Sequence, residues 1–114
     1  MERKQRLNSL FHQKIAEVIS RRLDLPLDFL ITIVKVDTSP DLENAKIYFT
    51  VLPNDKKDEG LKYLIKNSSE IKRWLAKEVE LRRIPKFRFL YEDAENRVQE
   101  IEEILDNLKN EDGN

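Results

Sequence analysis

Positively charged side chains supply the most conspicuous chemistry in this sequence. The segment from Leu81 to Tyr91 carries four of them within seven residues, around a proline that must end the preceding helical pattern. Beyond that proline, cations alternate with aromatic residues at the two-residue period of a β-strand, so we expect the cations on one sheet face and the rings on the other. Such a surface can bind phosphate groups, and the candidates are Arg82, Arg83, Lys86 and Arg88.

A second group of cations lies on a predicted pair of helices that precedes this segment. Apolar residues at helical spacing predict this pair over residues 55–82, with an interruption at residues 67–69. Asn67 followed by Glu70 resembles a capping box, and the free N–H groups at a helix N-terminus favour a phosphate. The site candidates are Lys66, Ser68, Ser69, Lys72, Arg73 and Lys77, and the kink between the helices is assigned to Asn67, Ser68 and Ser69.

Catalytic chemistry has little support in the sequence. His12 is the only histidine and the chain has no cysteine, so neither a Cys–His pair nor a histidine-rich metal centre can be assembled. The only glycines are Gly60 and Gly113, which excludes a glycine-rich phosphate loop. We therefore expect no enzyme activity, no catalytic residue, no metal site and no cofactor. His12 is assigned a structural role at the surface or partly buried.

The net charge of −1 conceals an uneven distribution along the 114 residues. Residues 1–22 carry a net charge of +4 and residues 61–90 one of +6, whereas residues 23–60 and 91–114 carry −4 and −7. Such asymmetry points to an anionic partner such as nucleic acid, although a solvated helix face would show the same charges. The first positive block adds three candidates for this contact, namely Arg3, Lys4 and Arg6.

Hydrophobic periodicity predicts a single α+β domain. Besides the helix pair, helices are expected over residues 2–23 and 94–109, and strands over residues 29–37, 45–52 and 85–92. The short connection between the first two strands makes them antiparallel, and the helices would cover one face of a small mixed sheet. Residues 1–109 would form the domain and residues 110–114 a disordered tail. The sequence shows no secretory signal and no membrane-spanning run, so a cytoplasmic protein is the default.

Trp74, in the second helix of the pair, permits two interpretations. Its ring could stack on an unpaired base, as aromatic side chains do in single-strand recognition. A helical tryptophan more often packs at the edge of a core, and we favour that interpretation.

Four segments together resemble the ribosome-binding factor A family of bacteria. The segment SPDLENAKIYFTV, residues 39–51, is similar to the family pattern Ser-x-Asp-Leu-x-x-Ala-x-Val-Tyr. The segment LRRIPKFRFLYED, residues 81–93, is similar to Leu-Arg-x-x-Pro-x-Leu-x-Phe-x-Tyr-Asp. The other two segments are RVQEIEEIL, residues 97–105, and a basic amphipathic opening with Arg3, Arg6, Ile15 and Ile19. The resemblance covers essentially the whole chain, in order and in spacing.

The resemblance implies a type II KH-like domain of order αββααβ, with a helix–kink–helix unit and a C-terminal helix. It implies a non-enzymatic, monomeric factor that binds 16S rRNA in the free or immature 30S subunit. Such a factor assists late 16S rRNA maturation, including 5′ end processing, and supports growth in the cold. Two positions depart from the family: residues 67–69 read Asn-Ser-Ser in place of an Ala-x-Gly kink, and Leu25-Pro26-Leu27 replaces Asp-Pro-Arg.

Other interpretations stay open at this point. The basic surface could belong to a protein-interaction adaptor that meets an acidic partner and has no specific RNA target. An enzyme acting on RNA would need a catalytic constellation that this sequence does not show. The predicted C-terminal helix could either cover the sheet or contact a ribosomal protein.

Overall fold

The fold is seen in a computed structural model that describes residues 3–21, 28–79, 83–93 and 98–103. The first helix is α1 (Arg3–Arg21), and a hairpin of β1 (Leu30–Thr38) and β2 (Asn44–Leu52) follows. A 3-10 turn (Asn54–Lys56) leads into α2 (Lys57–Lys66) and α3 (Ser68–Val79). The last described elements are β3 (Lys86–Glu92) and β4 (Val98–Glu103).

The described strands form one mixed sheet in the order β1-β2-β3-β4. β1 pairs antiparallel with β2, β2 pairs parallel with β3, and β3 pairs antiparallel with β4. The parallel pair follows from the chain path, because α2 and α3 lie between β2 and β3 and return the chain to the end of the sheet at which β2 begins. The predicted antiparallel hairpin and the predicted mixed sheet are confirmed.

The helices and one face of the sheet enclose the hydrophobic core. Every second residue of β2 from Ala45 to Val51 is buried, as the sequence alternation predicts. The aromatic residues of β3 point to the same side, where they meet Ile71 and Leu75 of α3 and Phe11 and Ile15 of α1 in one buried cluster. The cations of β3 therefore point to the opposite face of the sheet, which none of the described helices covers.

The first strand lies at the edge of the sheet, and α1 protects that edge. His12 Nε2 donates a hydrogen bond to the carbonyl oxygen of Ile33 at 2.7 Å. Asn8 Oδ1 accepts hydrogen bonds from both the backbone N–H and the hydroxyl of the buried Thr38, at 2.9 and 2.7 Å. These side chains satisfy backbone groups that an edge strand otherwise exposes. The structural role expected for His12 is thus supported by its contact.

The β1–β2 loop is held by its own polar side chains. Asp41 Oδ1 accepts hydrogen bonds from Ser39 Oγ at 2.6 Å and from the Glu43 N–H at 3.0 Å, and Ser39 Oγ accepts one from the Asn44 N–H at 3.1 Å. The hydrogen bond from Ser39, together with the weaker one from Glu43, lowers the pKa of Asp41 from its usual value. Leu42 adopts a left-handed φ of 62°, a conformation that costs a residue with a Cβ about 1–2 kcal/mol.

The prediction of a C-terminal helix over residues 94–109 is wrong for Val98–Glu103, which form β4. Apolar residues at helical spacing and abundant glutamate indicated a helix, but β3 would be an unpaired edge without a fourth strand. Backbone pairing with β3 satisfies that edge, and tertiary pairing here outweighs local propensity. The rest of the predicted helix and the predicted tail at residues 110–114 lie outside the described residues.

Gly60 allows α2 to pack directly on β2. A Cβ built at Gly60 would lie 2.5 Å from Cγ2 of Val51, whose side chain is buried. Carbon atoms normally approach to about 3.5–4.0 Å, so a methyl group at this position would require a shift of the strand or the helix. The close approach accounts for a glycine in a helix interior, where it otherwise costs about 0.5–1 kcal/mol.

We predict that Gly60→Ala lowers the free energy of unfolding by about 1–3 kcal/mol, because overpacking against Val51 outweighs the gain in helix propensity. Urea unfolding followed by circular dichroism measures the change. The matched control is Val51→Ala, alone and combined with Gly60→Ala. The two losses should be less than additive, because the shortened residue 51 makes room for the new methyl group. Full additivity, or a more stable Gly60→Ala protein, would contradict the packing explanation.

Candidate nucleic-acid interface

The junction of α2 and α3 is built on Asn67 without a glycine. The Asn67 backbone has φ −102° and ψ 10°, which any residue can adopt, so the kink needs no left-handed residue. The carbonyl oxygen of Tyr63 accepts hydrogen bonds from both the backbone N–H and Nδ2 of Asn67, at 3.1 and 2.9 Å. The carbonyl oxygen of Asn67 accepts one from the Ile71 N–H at 3.0 Å. Asn67 therefore closes one helix and opens the next.

One face of the helix pair carries a row of exposed polar and basic side chains, and the opposite face is in the core. In α3, Ile71 and Leu75 are fully buried. Lys77 Nζ lies 5.0 Å from the centroid of the Trp74 ring, which is half-buried and packs against the core. The packing interpretation of Trp74 is confirmed. We call the exposed row the α2–α3 stripe; its members are Lys62, Lys66, Ser69, Arg73 and Lys77.

Two predicted site residues on these helices do not join the stripe. Ser68 is completely buried, and its hydroxyl has no hydrogen-bond partner among the described residues. Its side chain therefore cannot contact RNA, because it lies beneath the first turn of α3. Lys72 is half-buried, with Nζ 5.1 Å from the centroid of the buried Phe87 ring. The stem of Lys72 thus covers the core while its charge stays near the surface.

The remaining candidates are distributed over other parts of the domain. Lys86 and Arg88 lie on the uncovered sheet face and are therefore separate from the α2–α3 stripe. Arg83 and Arg6 are exposed, before β3 and in the first turns of α1. The side chains of Arg3 and Lys4, and the whole of Arg82, lie outside the described part of the chain.

The prediction missed Lys35 and Lys46, which share the uncovered sheet face with Lys86 and Arg88. The alternation in β2 did point Lys46 outward, but only the register of the parallel strands shows that Lys46 lies opposite Arg88.

None of the helices described is long and apolar enough to cross a membrane.

Helix, two strands, two helices and a third strand, with the second and third strands parallel, are the arrangement of a type II KH-like domain. A family model for ribosome-binding factor A matches residues 3–105 of this chain. The chain belongs to the ribosome-binding factor A family.

Known proteins of that name are similar over most of their length. Ribosome-binding factor A of Coxiella burnetii (strain Dugway 5J108-111) is 31% identical over 112 residues, which cover 97% of this chain and 94% of the relative. The Bdellovibrio bacteriovorus protein is 34% identical over 96 residues, with coverage of 83% and 72%.

Solved structures agree with the sequence comparison. The crystal structure of ribosome-binding factor A from Thermus thermophilus superposes with a TM-score of 0.69 and 26% identity, over 77% of this chain and 93% of that one. A Thermus thermophilus homology model fitted into the cryo-EM map of a 30S complex gives a TM-score of 0.64 and 27% identity, with coverage of 75% and 90%.

We predict that Ser68→Ala leaves the stability of the domain unchanged or raises it by up to about 1 kcal/mol. The substitution removes a buried hydroxyl that forms no hydrogen bond with the described residues, and alanine favours the helix. Thermal unfolding measures this effect, with Ser69→Ala, one position along on the exposed face, as the matched control. A clear loss of stability in Ser68→Ala alone would show that the hydroxyl has a partner after all.

Proposed function

We propose that this protein is a non-enzymatic assembly factor that binds the free or immature 30S subunit through 16S rRNA. The observation that carries the proposal is the α2–α3 stripe, in which exposed cations surround the helix junction where RNA-binding KH domains clamp a nucleic-acid backbone. Family membership and the 30S complex of the Thermus thermophilus protein support the choice of partner.

The proposed contact is electrostatic docking combined with shape recognition. Lys66, Arg73 and Lys77 would lie against phosphates, where each lysine or arginine displaces condensed counterions. The first turn of α3 would add a positive dipole end beside Ser69. Because Asn67 fixes the junction with hydrogen bonds on both sides, these groups are held in place before RNA arrives, which lowers the entropic cost of binding.

The finer parts of the proposal rest on the family. The protein would assist late maturation of 16S rRNA, including processing of its 5′ end, and would support growth in the cold. It would act in the cytoplasm as a monomer, without a cofactor. Arg6 and Arg83, both exposed, would extend the contact surface, with Arg3, Lys4 and Arg82 as further candidates.

We predict that Arg73→Glu combined with Lys77→Glu reduces binding to purified 30S subunits at least tenfold at near-physiological salt, because two phosphate contacts become repulsive. Co-sedimentation through a sucrose gradient measures the bound fraction. The charge-matched control is Arg21→Glu with Lys56→Glu, two cations outside the stripe. Lys56 forms an ion pair with Asp28 at 3.4 Å, so the stability of the control is checked by thermal unfolding. Unchanged 30S binding by a folded Arg73/Lys77 variant would reject the α2–α3 stripe as the site.

The same gradient distinguishes an assembly factor from a general adaptor. An assembly factor should co-sediment with free 30S subunits and be largely absent from 70S particles. Equal association with both particles, or none with either, would reject the assembly role.

A further inference from the structure

The sheet face opposite the helices is an interaction surface in its own right. Its members alternate with the core residues of β1, β2 and β3, and the described ones are exposed or half-buried except for Leu90. We call it the open sheet face; its central residues are Lys35, Lys46, Tyr48, Thr50, Lys86 and Arg88. None of the described helices packs on it.

Like charges are placed side by side on this face. Lys46 lies directly opposite Arg88 in the register of the parallel strands, and Lys86 precedes Arg88 by two residues, on the same face. Arg88 is half-buried and interacts with another group of the domain, whereas Lys46 and Lys86 are exposed. Asp37 opposite Lys46 and Glu92 at the end of β3 are the acidic side chains described for β1, β2 and β3 at this face, and the described cations outnumber them. The exposed Lys46 and Lys86 can therefore bind a polyanion.

Aromatic and apolar side chains lie among these cations. Lys35 Nζ lies over the half-buried Tyr48 ring, 4.6 Å from the ring centroid, so one face of the ring already receives a cation. Leu30 and Leu52, paired across the hairpin, are 54% and 68% exposed at the far end of the same face. A tyrosine ring flanked by cations on an open sheet is suited to a splayed base and the phosphates beside it, whereas duplex bases are stacked out of reach.

We propose that the open sheet face binds a segment of single-stranded RNA, separate from the RNA at the α2–α3 stripe. Lys46 and Lys86 contact phosphates, and Tyr48 stacks on a base in the place that Lys35 now occupies. The choice of RNA as the polyanion rests on the proposed function. The charge and geometry of the face are observed in the structure and do not depend on that proposal.

The test uses the full chain and a fluorescein-labelled oligouridylate of about twelve nucleotides, with binding followed by fluorescence anisotropy across a salt series. Lys46→Gln with Lys86→Gln should weaken binding about tenfold and flatten the slope of log affinity against log salt by about 1.4, since each single-strand phosphate contact contributes about 0.7. The charge-matched control, Arg21→Gln with Lys56→Gln, should leave the slope nearly unchanged.

Substitutions of Tyr48 distinguish the contribution of base stacking to binding from that of charge. Tyr48→Phe should bind like the wild type, and Tyr48→Ala should bind about tenfold more weakly with an unchanged salt slope, because a ring is lost but no phosphate contact is. Thermal unfolding checks that these variants are folded. Full binding by Tyr48→Ala would overturn the stacking role.

Comparing the Arg73→Glu, Lys77→Glu variant with the Lys46, Lys86 variant distinguishes binding at the α2–α3 stripe from binding at the open sheet face. If that variant loses oligouridylate and the Lys46, Lys86 variant does not, the open sheet face is rejected and the α2–α3 stripe stands. If only the Lys46, Lys86 variant loses it, the open sheet face stands and the stripe is rejected as the site of single-strand binding. Losses in both support two surfaces, and losses in neither reject both surfaces as sites of single-strand binding, while 30S co-sedimentation still tests the stripe.

Discussion

The parallel pairing of β2 with β3 is the constraint on which the rest of this domain depends. Ala45, Ile47 and Phe49 lie opposite Phe87, Phe89 and Tyr91, so the register gathers the large aromatic side chains on one face. Phe49 meets Phe89 and Tyr91 edge to face, with ring centroids 6.4 and 5.4 Å apart. A slip of one residue would turn these rings to solvent and bring Arg88 into the core, so burial specifies the register strongly.

The helix pair packs on that sheet, and its position is fixed by a glycine in α2 and an asparagine at the helix junction. Gly60 has no side chain, which lets α2 lie against Val51. Asn67 Nδ2 donates a hydrogen bond to the carbonyl oxygen of Tyr63 at the end of α2. The junction is therefore held by hydrogen bonds and needs no left-handed residue. The sequence Asn-Ser-Ser can therefore form a helix–kink–helix unit without glycine, because a side-chain hydrogen bond takes the place of backbone freedom.

The segments by which the family is recognisable have mainly structural roles in this domain. Ser39 and Asp41 tie the hairpin loop together, and the backbone N–H of Lys86 donates to the carbonyl oxygen of Glu43, which joins that loop to the start of β3. The aromatic residues of the second segment fill the core. The cations, which are the candidates for binding, lie between these structural positions and occupy two opposite sides of the domain.

Sequence periodicity determined α1, the first three strands, the inward face of each strand and the cations of the α2–α3 stripe, because these depend on contacts between near neighbours in the chain. It could not determine that residues 98–103 are a strand, since the reason is the unpaired edge of β3, which exists only once the sheet has assembled. It also could not show that Ser68 is buried or that Lys46 lies opposite Arg88. Those facts come from how α3 sits on the sheet and from the register of two strands far apart in the chain, and only tertiary packing sets either one.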